Sequence, residues 1–152
     1  MKTLVTSLII FIISIHPTYA DEEECLTEAV YFEARGETFI RQLAVANVIM
    51  ERVRSPEFPP TVCEVVHAGV QWNGNPVRNR CAFSYWCDGL HERMTDKEAY
   101  KTAKNVARMA IDGVLYEEVM GATFYHASYV QPRWATHFNF LTRIGKHLFY
   151  GE

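Results

Sequence analysis

Glu33 is the residue whose setting first indicates chemistry. It lies in the stretch YFEARGE, at the end of a predicted helix that stops at Gly36. The unsatisfied carbonyl groups of a helix C-terminus and the rings of Tyr31 and Phe32 would both disfavour the charged carboxylate and raise its pKa. A carboxylic acid that stays protonated near neutral pH can donate a proton to a glycosidic oxygen. Arg35 would oppose the effect if it folded back onto Glu33, and a surface glutamate near a helix end is the alternative.

Glu37 lies four residues after Glu33. On one continuous helix the two carboxyl groups would share a face. Gly36 is expected to break that helix, so Glu37 would start the next one, where a carboxylate is favoured and its pKa falls. We therefore predict a structural or assisting role for Glu37 and place it in the substrate-binding set.

Aromatic residues cluster in segments that have the composition of loops. Sugars stack on exposed aromatic faces and bond to nearby polar groups, so such a set suits a saccharide groove. The alternative is that many of these rings anchor the core or the loops. The predicted groove residues are Phe83, Ser84, Trp86, Tyr125, His126 and Trp134.

Other chemistries find less support in the sequence. The chain has 15 Lys and Arg against 18 Asp and Glu, so it has no basic excess for binding nucleic acid. It has no H-E-x-x-H pattern and no G-x-S-x-G elbow. We therefore predict no metal, no cofactor and no nucleic-acid partner, although a zinc site could still collect ligands from distant positions.

The N-terminal residues 1–20 have the pattern of a secretory signal peptide. Lys2 is the only charge before Asp21, an apolar run extends from Leu4 to Ile15, and Ala20 ends a plausible cleavage site. The run is shorter than the ~20 residues that a bilayer requires, although a retained anchor is the alternative. The sequence thus predicts an exported protein, periplasmic or secreted, with a domain at residues 21–152 that does not stay inserted in the membrane and acts as a monomer.

The cysteines fit this compartment. The four cysteines all follow the signal segment, and an even count in an exported chain predicts two disulfides. Three pairings are possible. The short separation of Cys81 and Cys87 favours a small loop, which would leave Cys25 to pair with Cys63. A zinc thiolate site is the competing interpretation, although no C-x-x-C pair occurs.

Hydrophobic spacing predicts a helix-rich α+β fold with a small β region. Helices are predicted at 22–35 and 38–54, with the second as a buried central helix, and a short one at 61–68. Residues 69–89 are predicted to form a loop region that is bridged by a disulfide and can include a short hairpin. Thr95 and Glu98 match a capping box for a helix that runs to about Asp112. Strands are predicted at 122–127 and 143–149.

Five sequence blocks, taken together, resemble the bacterial cell wall hydrolases of the spore cortex-lytic enzyme type. The blocks are AVYFEARGE (29–37), QLAVANVIMERV (42–53), SPEFPPTVCEVV (55–66), CAFSYWCDG (81–89) and IGKHLFY (144–150). The resemblance implies a lysozyme-like single domain, and a substrate that is the peptidoglycan glycan strand. The bond cut would join N-acetylmuramic acid to N-acetylglucosamine.

The same resemblance implies that Glu33 is the essential acid of a lytic transglycosylase. It also places Phe83, Ser84, Tyr125 and His126 along the groove. Two departures occur on the second helix: Arg41 stands where the family usually has glycine, and Glu51 stands where it usually has asparagine.

Glu33 would act first as acid and then as base, closing a 1,6-anhydro ring on the muramic acid. Hydrolysis is the alternative outcome if a water is held at the site, and Asp88 is the nearest candidate for a second carboxylate. Two rival functions are a zinc-dependent N-acetylmuramoyl-L-alanine amidase and a peptidoglycan-binding protein without catalysis.

Overall fold

The computed structural model describes residues 18–152. The predicted signal segment lies outside the described residues as far as residue 17, and its cleavage stays a prediction. Helix α1 spans Tyr19–Ala34 and so begins three residues before its predicted start. Thr18 and Asp21 explain the difference, because they form a capping box in which each side chain bonds to the backbone N–H of the other.

Three further helices follow close to their predicted positions. They are α2 (Phe39–Arg54), α3 (Val62–Val66) and α4 (Lys97–Ile111). The predicted cap of α4 was wrong by one residue. Asp96, not Thr95, is the N-cap, because its carboxylate accepts hydrogen bonds from the N–H groups of Glu98 and Ala99 at 3.1 and 3.0 Å.

Helix α2 lies at the centre of the fold, as its small residues predicted. Leu43, Ala46 and Ile49 pack in one core cluster, which includes residues of α1, α3 and α4. Ala44 and Val48 pack in a second cluster with Phe149 of the sheet. Burial on both sides holds α2 between the helices and the sheet, so its small side chains allow close approach.

Two antiparallel sheets complete the fold. Strands β1 (Gly69–Trp72) and β2 (Asn75–Cys81) form an antiparallel hairpin within the region 69–89, where the sequence allowed one. The second sheet has the order β3-β5-β4 and consists of β3 (Phe124–Ala127), β4 (Asn139–Ile144) and β5 (His147–Gly151).

The single strand predicted at 143–149 was wrong. Gly145 has a φ of +60° and, with Lys146, turns the chain between β4 and β5. This backbone conformation suits glycine and ends a strand. The start of β4 carries largely exposed side chains, so its sequence lacks the alternation that marks a half-buried strand.

Both disulfides form in the pairing that the short Cys81–Cys87 separation favoured. Cys25 of α1 bonds to Cys63 of α3, and Cys81 at the end of β2 bonds to Cys87. Each bond joins two elements next to each other in space. Within residues 18–152, none of the helices combines the length and the apolar character needed to cross a bilayer.

Candidate active site

The last turn of α1 places Glu33 at a cleft of about 770 Å³. Its walls come from helices α1 and α2, the loop between α2 and α3, the segment after β2, strands β3 and β5, and the loop after β3. The cleft is mainly aromatic and polar around Glu33, and its lining includes Arg52, Phe58, Phe83, Ser84, Phe124, Tyr125, His126, Tyr129, Trp134 and His147. A partly buried carboxyl group in such a cleft can exchange protons with a bound substrate.

A second cavity continues on the other side of Glu33. It has a volume of about 350 Å³ and shares Glu33 and Ser84 with the first. Asp88, the predicted candidate for a second carboxylate, lines this cavity, and its Oδ1 accepts a hydrogen bond from the N–H of Leu90 at 2.7 Å. Glu33 therefore lines two adjacent cavities, an arrangement that suits the middle of a chain-like ligand.

Tyr125 holds the carboxyl group of Glu33 from the sheet. Its hydroxyl donates a hydrogen bond to Oε2 of Glu33 at 3.1 Å. The register of β3 against β5, which pairs Tyr125 with Phe149, sets the position of that hydroxyl. Burial and the nearby Glu33 charge raise the pKa of Tyr125 well above its ordinary value, so the tyrosine stays a donor.

Arg52 of α2 is the cation beside this pair. It is 9% exposed, and its Nε donates to the carbonyl oxygen of Thr123 at 2.7 Å. The guanidinium lies 5.3 to 5.7 Å from the ring centroids of Phe58, Phe83 and Phe124. Sequence reasoning missed this residue, although a charged side chain three residues after the buried Ile49 on an apolar helix face could have indicated it.

The pKa of Glu33 is raised, and burial is the largest cause. The Tyr125 hydrogen bond and the Arg52 charge act in the opposite direction and only partly offset it. The direction agrees with the prediction from sequence, and the two opposing groups, Tyr125 and Arg52, were not part of that prediction. The Tyr31 hydroxyl accepts the N–H of Asp96 at 3.0 Å, and the Arg35 guanidinium lies 5.0 Å from the centre of the Tyr31 ring.

Five of the predicted groove residues line the cleft around Glu33, namely Phe83, Ser84, Tyr125, His126 and Trp134. His126 shares a hydrogen bond of 3.0 Å with the Tyr150 hydroxyl and packs edge-on against Trp134. Phe83 is buried, so it supports the cleft wall and exposes little surface to a ligand.

Two of the predicted substrate-binding residues lie outside the cleft lining. Trp86 stacks on His67, with ring centroids 3.7 Å apart, and packs against the helical core. Glu37 accepts a hydrogen bond from Arg41 at 2.7 Å, and this ion pair lowers its pKa. The lowered pKa agrees with a structural role for Glu37.

The two departures on α2 also lie away from the Glu33 carboxyl group. Arg41 pairs with Glu37 and covers the turn at Gly145. Glu51 forms a surface pair with Arg54 at 2.8 Å. Neither residue is part of the cleft lining. Among residues 18–152, no three His, Cys, Asp or Glu side chains come together in a group that could hold a metal ion.

The protein is a mixed α+β domain with a helical core and two small sheets. Its larger cleft has the Glu33 carboxyl group in its lining. Within the class of mixed α+β proteins, the chain belongs to the cell wall hydrolase family, whose sequence model matches residues 36–150. The match begins just after Glu33, so the assignment of that residue rests on the site itself.

Named relatives agree with the family. The chain is 33% identical over 135 residues to a spore cortex-lytic enzyme of Halalkalibacterium halodurans, covering 86% of this chain and 35% of the relative. It is 32% identical over 125 residues to a spore cortex-lytic enzyme of Bacillus subtilis, covering 82% of this chain and 35% of the relative. The chain thus spans about a third of the length of these relatives.

Two solved structures share the fold. The catalytic domain of the germination-specific lytic transglycosylase SleB from Bacillus anthracis matches with a TM-score of 0.64 and 32% identity, over 85% of this chain and 93% of that one. The catalytic domain of the Bacillus cereus SleB protein matches with a TM-score of 0.62 and 27% identity, over 90% of this chain and 94% of that one. The prediction of a helix-rich α+β fold is therefore confirmed.

Proposed function

We propose that this protein is an exported enzyme that cleaves the glycan strand of peptidoglycan between N-acetylmuramic acid and N-acetylglucosamine, as a lytic transglycosylase. The observation that carries the proposal is the Glu33 carboxyl group. It lines both cavities, its pKa is raised by burial, and it receives a hydrogen bond from Tyr125. The cell wall hydrolase family and the lytic transglycosylase activity for which the Bacillus anthracis relative is named support the same substrate class.

The reaction begins with protonated Glu33. The carboxylic acid donates its proton to the glycosidic oxygen while the bond from C1 of the muramic acid to that oxygen breaks. The sugar ring passes through an oxocarbenium-like state, and N-acetylglucosamine leaves with the new hydroxyl. Because burial raises the pKa of Glu33, its acid form persists nearer to neutral pH than that of an exposed glutamate.

The second step uses the same carboxyl group as a base. Glu33, now a carboxylate, takes the proton from the 6-hydroxyl of the muramic acid, and that oxygen bonds to C1. A 1,6-anhydro ring closes, no water is consumed, and Glu33 is protonated again. One carboxyl group is sufficient for both steps, which agrees with the single carboxylate shared by the two cavities.

The lining residues give the groove its binding surface. Exposed ring faces and edges, including those of Tyr129 and Trp134, suit stacking against sugars. Ser84 lies at the junction of both cavities beside Glu33, where its hydroxyl can bond to a sugar near the cleaved linkage. Tyr125 orients the acid, and His126 and Phe83 support that wall.

Mass spectrometry of the soluble products from purified sacculi tests the proposal. The wild-type chain is expected to release anhydro-muropeptides, and Glu33→Gln should lower that rate at least about 100-fold with the fold intact, as expected for loss of a general acid. Glu98→Gln is the matched control, since Glu98 is exposed on α4 and forms a surface ion pair with Lys101.

Other products would contradict parts of the proposal. Reducing-end muropeptides that depend on Glu33 would keep the acid but replace ring closure by hydrolysis. Free stem peptides from both the wild type and Glu33→Gln would mean that the bond and the residue are both wrong. Sacculus binding with no soluble product would indicate a binding protein.

A further inference from the structure

Arg52 is a buried cation without a carboxylate partner. Among residues 18–152, the ion pairs within 4.0 Å do not include it. One carbonyl oxygen and three ring faces hold the guanidinium in place. Such contacts stabilise a cation but leave its charge uncompensated, and an uncompensated buried charge is costly. A buried arginine in this state calls for an explanation beyond packing.

Glu33 supplies the missing charge during part of the catalytic cycle. Arg52 and Glu33 line the same cleft, and the Arg52 charge acts to lower the pKa of Glu33. When Glu33 is protonated, the Arg52 charge has no opposite charge in the cleft lining. When Glu33 has given up its proton, the cleft holds two opposite charges in a setting that screens them less than water does.

We propose that Arg52 is a positioning residue that supplies the counter-charge for the Glu33 carboxylate, so that one carboxyl group can serve first as acid and then as base. The inference rests on the proposed function of Glu33. Desolvation alone would make Glu33 hold its proton too tightly to release it. Arg52 stabilises the carboxylate that proton donation leaves behind, and Tyr125 assists through its hydrogen bond.

The other titratable groups around Glu33 do not take this role. On the side of the larger cavity these are Tyr125, His126 and Tyr129 from β3 and its loop and His147 from β5. His126 is engaged with Tyr150 and the Ala127 carbonyl, and burial lowers the pKa of His147. His147 therefore contributes little positive charge near neutral pH.

On the side of the smaller cavity the titratable groups are Arg35 of α1, Tyr85, and Asp88, His91 and Glu92 of the loop that follows. Asp88 and Glu92 are acidic and therefore cannot supply a counter-charge for a carboxylate. Arg35 is exposed, and its guanidinium lies over the Tyr31 ring. Among residues 18–152, Arg52 is thus the buried arginine that lines the cleft with Glu33.

The sign of the effect can be measured. A general acid is active while protonated, so the rate falls as pH rises through the pKa of Glu33. Removing the Arg52 charge raises that pKa, so the descending limb of the pH–rate profile should move to higher pH. The maximum rate should fall about tenfold or more, because the carboxylate formed in the step loses its stabilisation.

The experiment compares Arg52→Gln with Arg52→Lys. Both variants lose the guanidinium group, which bonds to Thr123 and lies over the rings of three phenylalanines. Only Arg52→Gln also loses the positive charge. The limb should move for Arg52→Gln and stay near its wild-type position for Arg52→Lys. The pKa of Glu33 can also be measured without substrate, by a 13C titration of its carboxyl group assigned with the help of Glu33→Gln. That pKa should be higher in Arg52→Gln than in the wild type and in Arg52→Lys. Arg54→Gln, exposed two residues further along α2, is the control.

A purely structural role for Arg52 predicts a different result. Both substitutions would then lower the rate alike and leave the limb and the Glu33 titration unmoved, which would overturn the inference. If Arg52→Gln does not fold, Arg52→Met is the second variant, since it also loses the charge but leaves an apolar side chain among the three rings. The limb should again move to higher pH, and an unmoved limb would count against the proposal.

Failure of the proposed function would appear differently. In that case the wild-type chain releases no glycan product, or Glu33→Gln retains activity, whatever Arg52 does. Normal Glu33-dependent cleavage with an unchanged pH profile in Arg52→Gln would reject only the role of Arg52.

Discussion

Glu33 and Tyr125 share one hydrogen bond, and each residue changes the protonation of the other. The tyrosine donates to the carboxylate at 3.1 Å and so lowers the pKa of Glu33, while the Glu33 charge raises the pKa of Tyr125. Burial dominates both shifts. At the residue scale, the site therefore depends on a balance between desolvation, which favours the acid, and two contacts that favour the carboxylate.

Tyr125→Phe tests this balance at the sheet side. The substitution removes the donor but keeps the ring, so the pKa of Glu33 should rise and the descending limb of the pH–rate profile should move to higher pH. We expect cleavage of sacculi to slow about ten- to 100-fold, since a hydrogen bond to a charged group contributes about 1.5–3 kcal/mol.

Tyr100→Phe is the matched control, because its hydroxyl bonds to Glu24 on the exposed surface. It should leave the profile unchanged. A Tyr125→Phe variant with wild-type rate and wild-type profile would show that the hydrogen bond has no catalytic consequence.

At the scale of elements, α1 must be held firmly because its last turn carries Glu33. Glu23, one of the few buried charged residues, ties the start of α1 to α4. Its carboxylate accepts hydrogen bonds from Arg108 Nε and Nη2 at 3.3 and 3.2 Å, and Lys104 lies 3.6 Å away. These contacts lower the pKa of Glu23. Because half of the Arg108 side chain is exposed, water and salt weaken the pair.

Glu23→Gln should lower the free energy of unfolding by about 0.5–1 kcal/mol at neutral pH. A carboxyl group whose pKa falls on folding stabilises the native state above its unfolded pKa, and this contribution is lost as pH falls through the folded value. The difference from wild type should therefore be complete near pH 7 and should close below about pH 4.

Urea titrations at several pH values measure this difference. Glu98→Gln, at an exposed pair on α4, should change stability by less than about 0.5 kcal/mol. A Glu23→Gln deficit that persists at low pH would show that packing, rather than charge, accounts for the loss.

At the scale of the whole molecule, the two disulfides have separate tasks. Cys25–Cys63 closes a separation of 38 residues and joins α1 to α3, and neither cysteine is part of the cleft lining. Cys81–Cys87 closes a separation of 6 residues. It encloses Phe83 and Ser84, which line the cleft together with Cys81 itself. One bond therefore constrains the fold, and the other shapes the wall of the site.

Paired serine substitutions should separate these tasks. Replacing Cys25 and Cys63 should cost about 4 kcal/mol of stability by loop closure entropy and leave the activity of the folded fraction nearly unchanged. Replacing Cys81 and Cys87 should cost about 2 kcal/mol and lower activity further, because the short loop with Ser84 loses its constraint.

Thermal unfolding and the rate of sacculus cleavage, measured below both melting temperatures, check this crossed pattern. Equal losses of stability and activity in both pairs would contradict it. A Cys81 and Cys87 variant with full activity would show that the short disulfide does not shape the cleft.

The sequence by itself determined the helices, the disulfide partners once one short pairing was favoured, and the position of the candidate acid at a helix end. Each of these depends on local information. Periodic apolar residues specify α2, and the YFEARGE stretch places Glu33 at a helix end. Local patterns did not predict the start of β4, because its side chains are exposed and do not alternate. They also missed the turn at Gly145, which divides the predicted strand in two.

Only the tertiary structure decided which groups control the acid. From the sequence, Arg35 was the nearby cation and Tyr31 and Phe32 were the shielding rings, since all three lie within two residues of Glu33. In the structure Arg35 lies over the Tyr31 ring, while Tyr125 from β3 bonds to the carboxyl group and the charge of Arg52 from α2 acts to lower its pKa. Those neighbours come from the packing of α1, α2 and the sheet around one core, and contacts between residues so distant in the chain leave no periodic mark in the sequence.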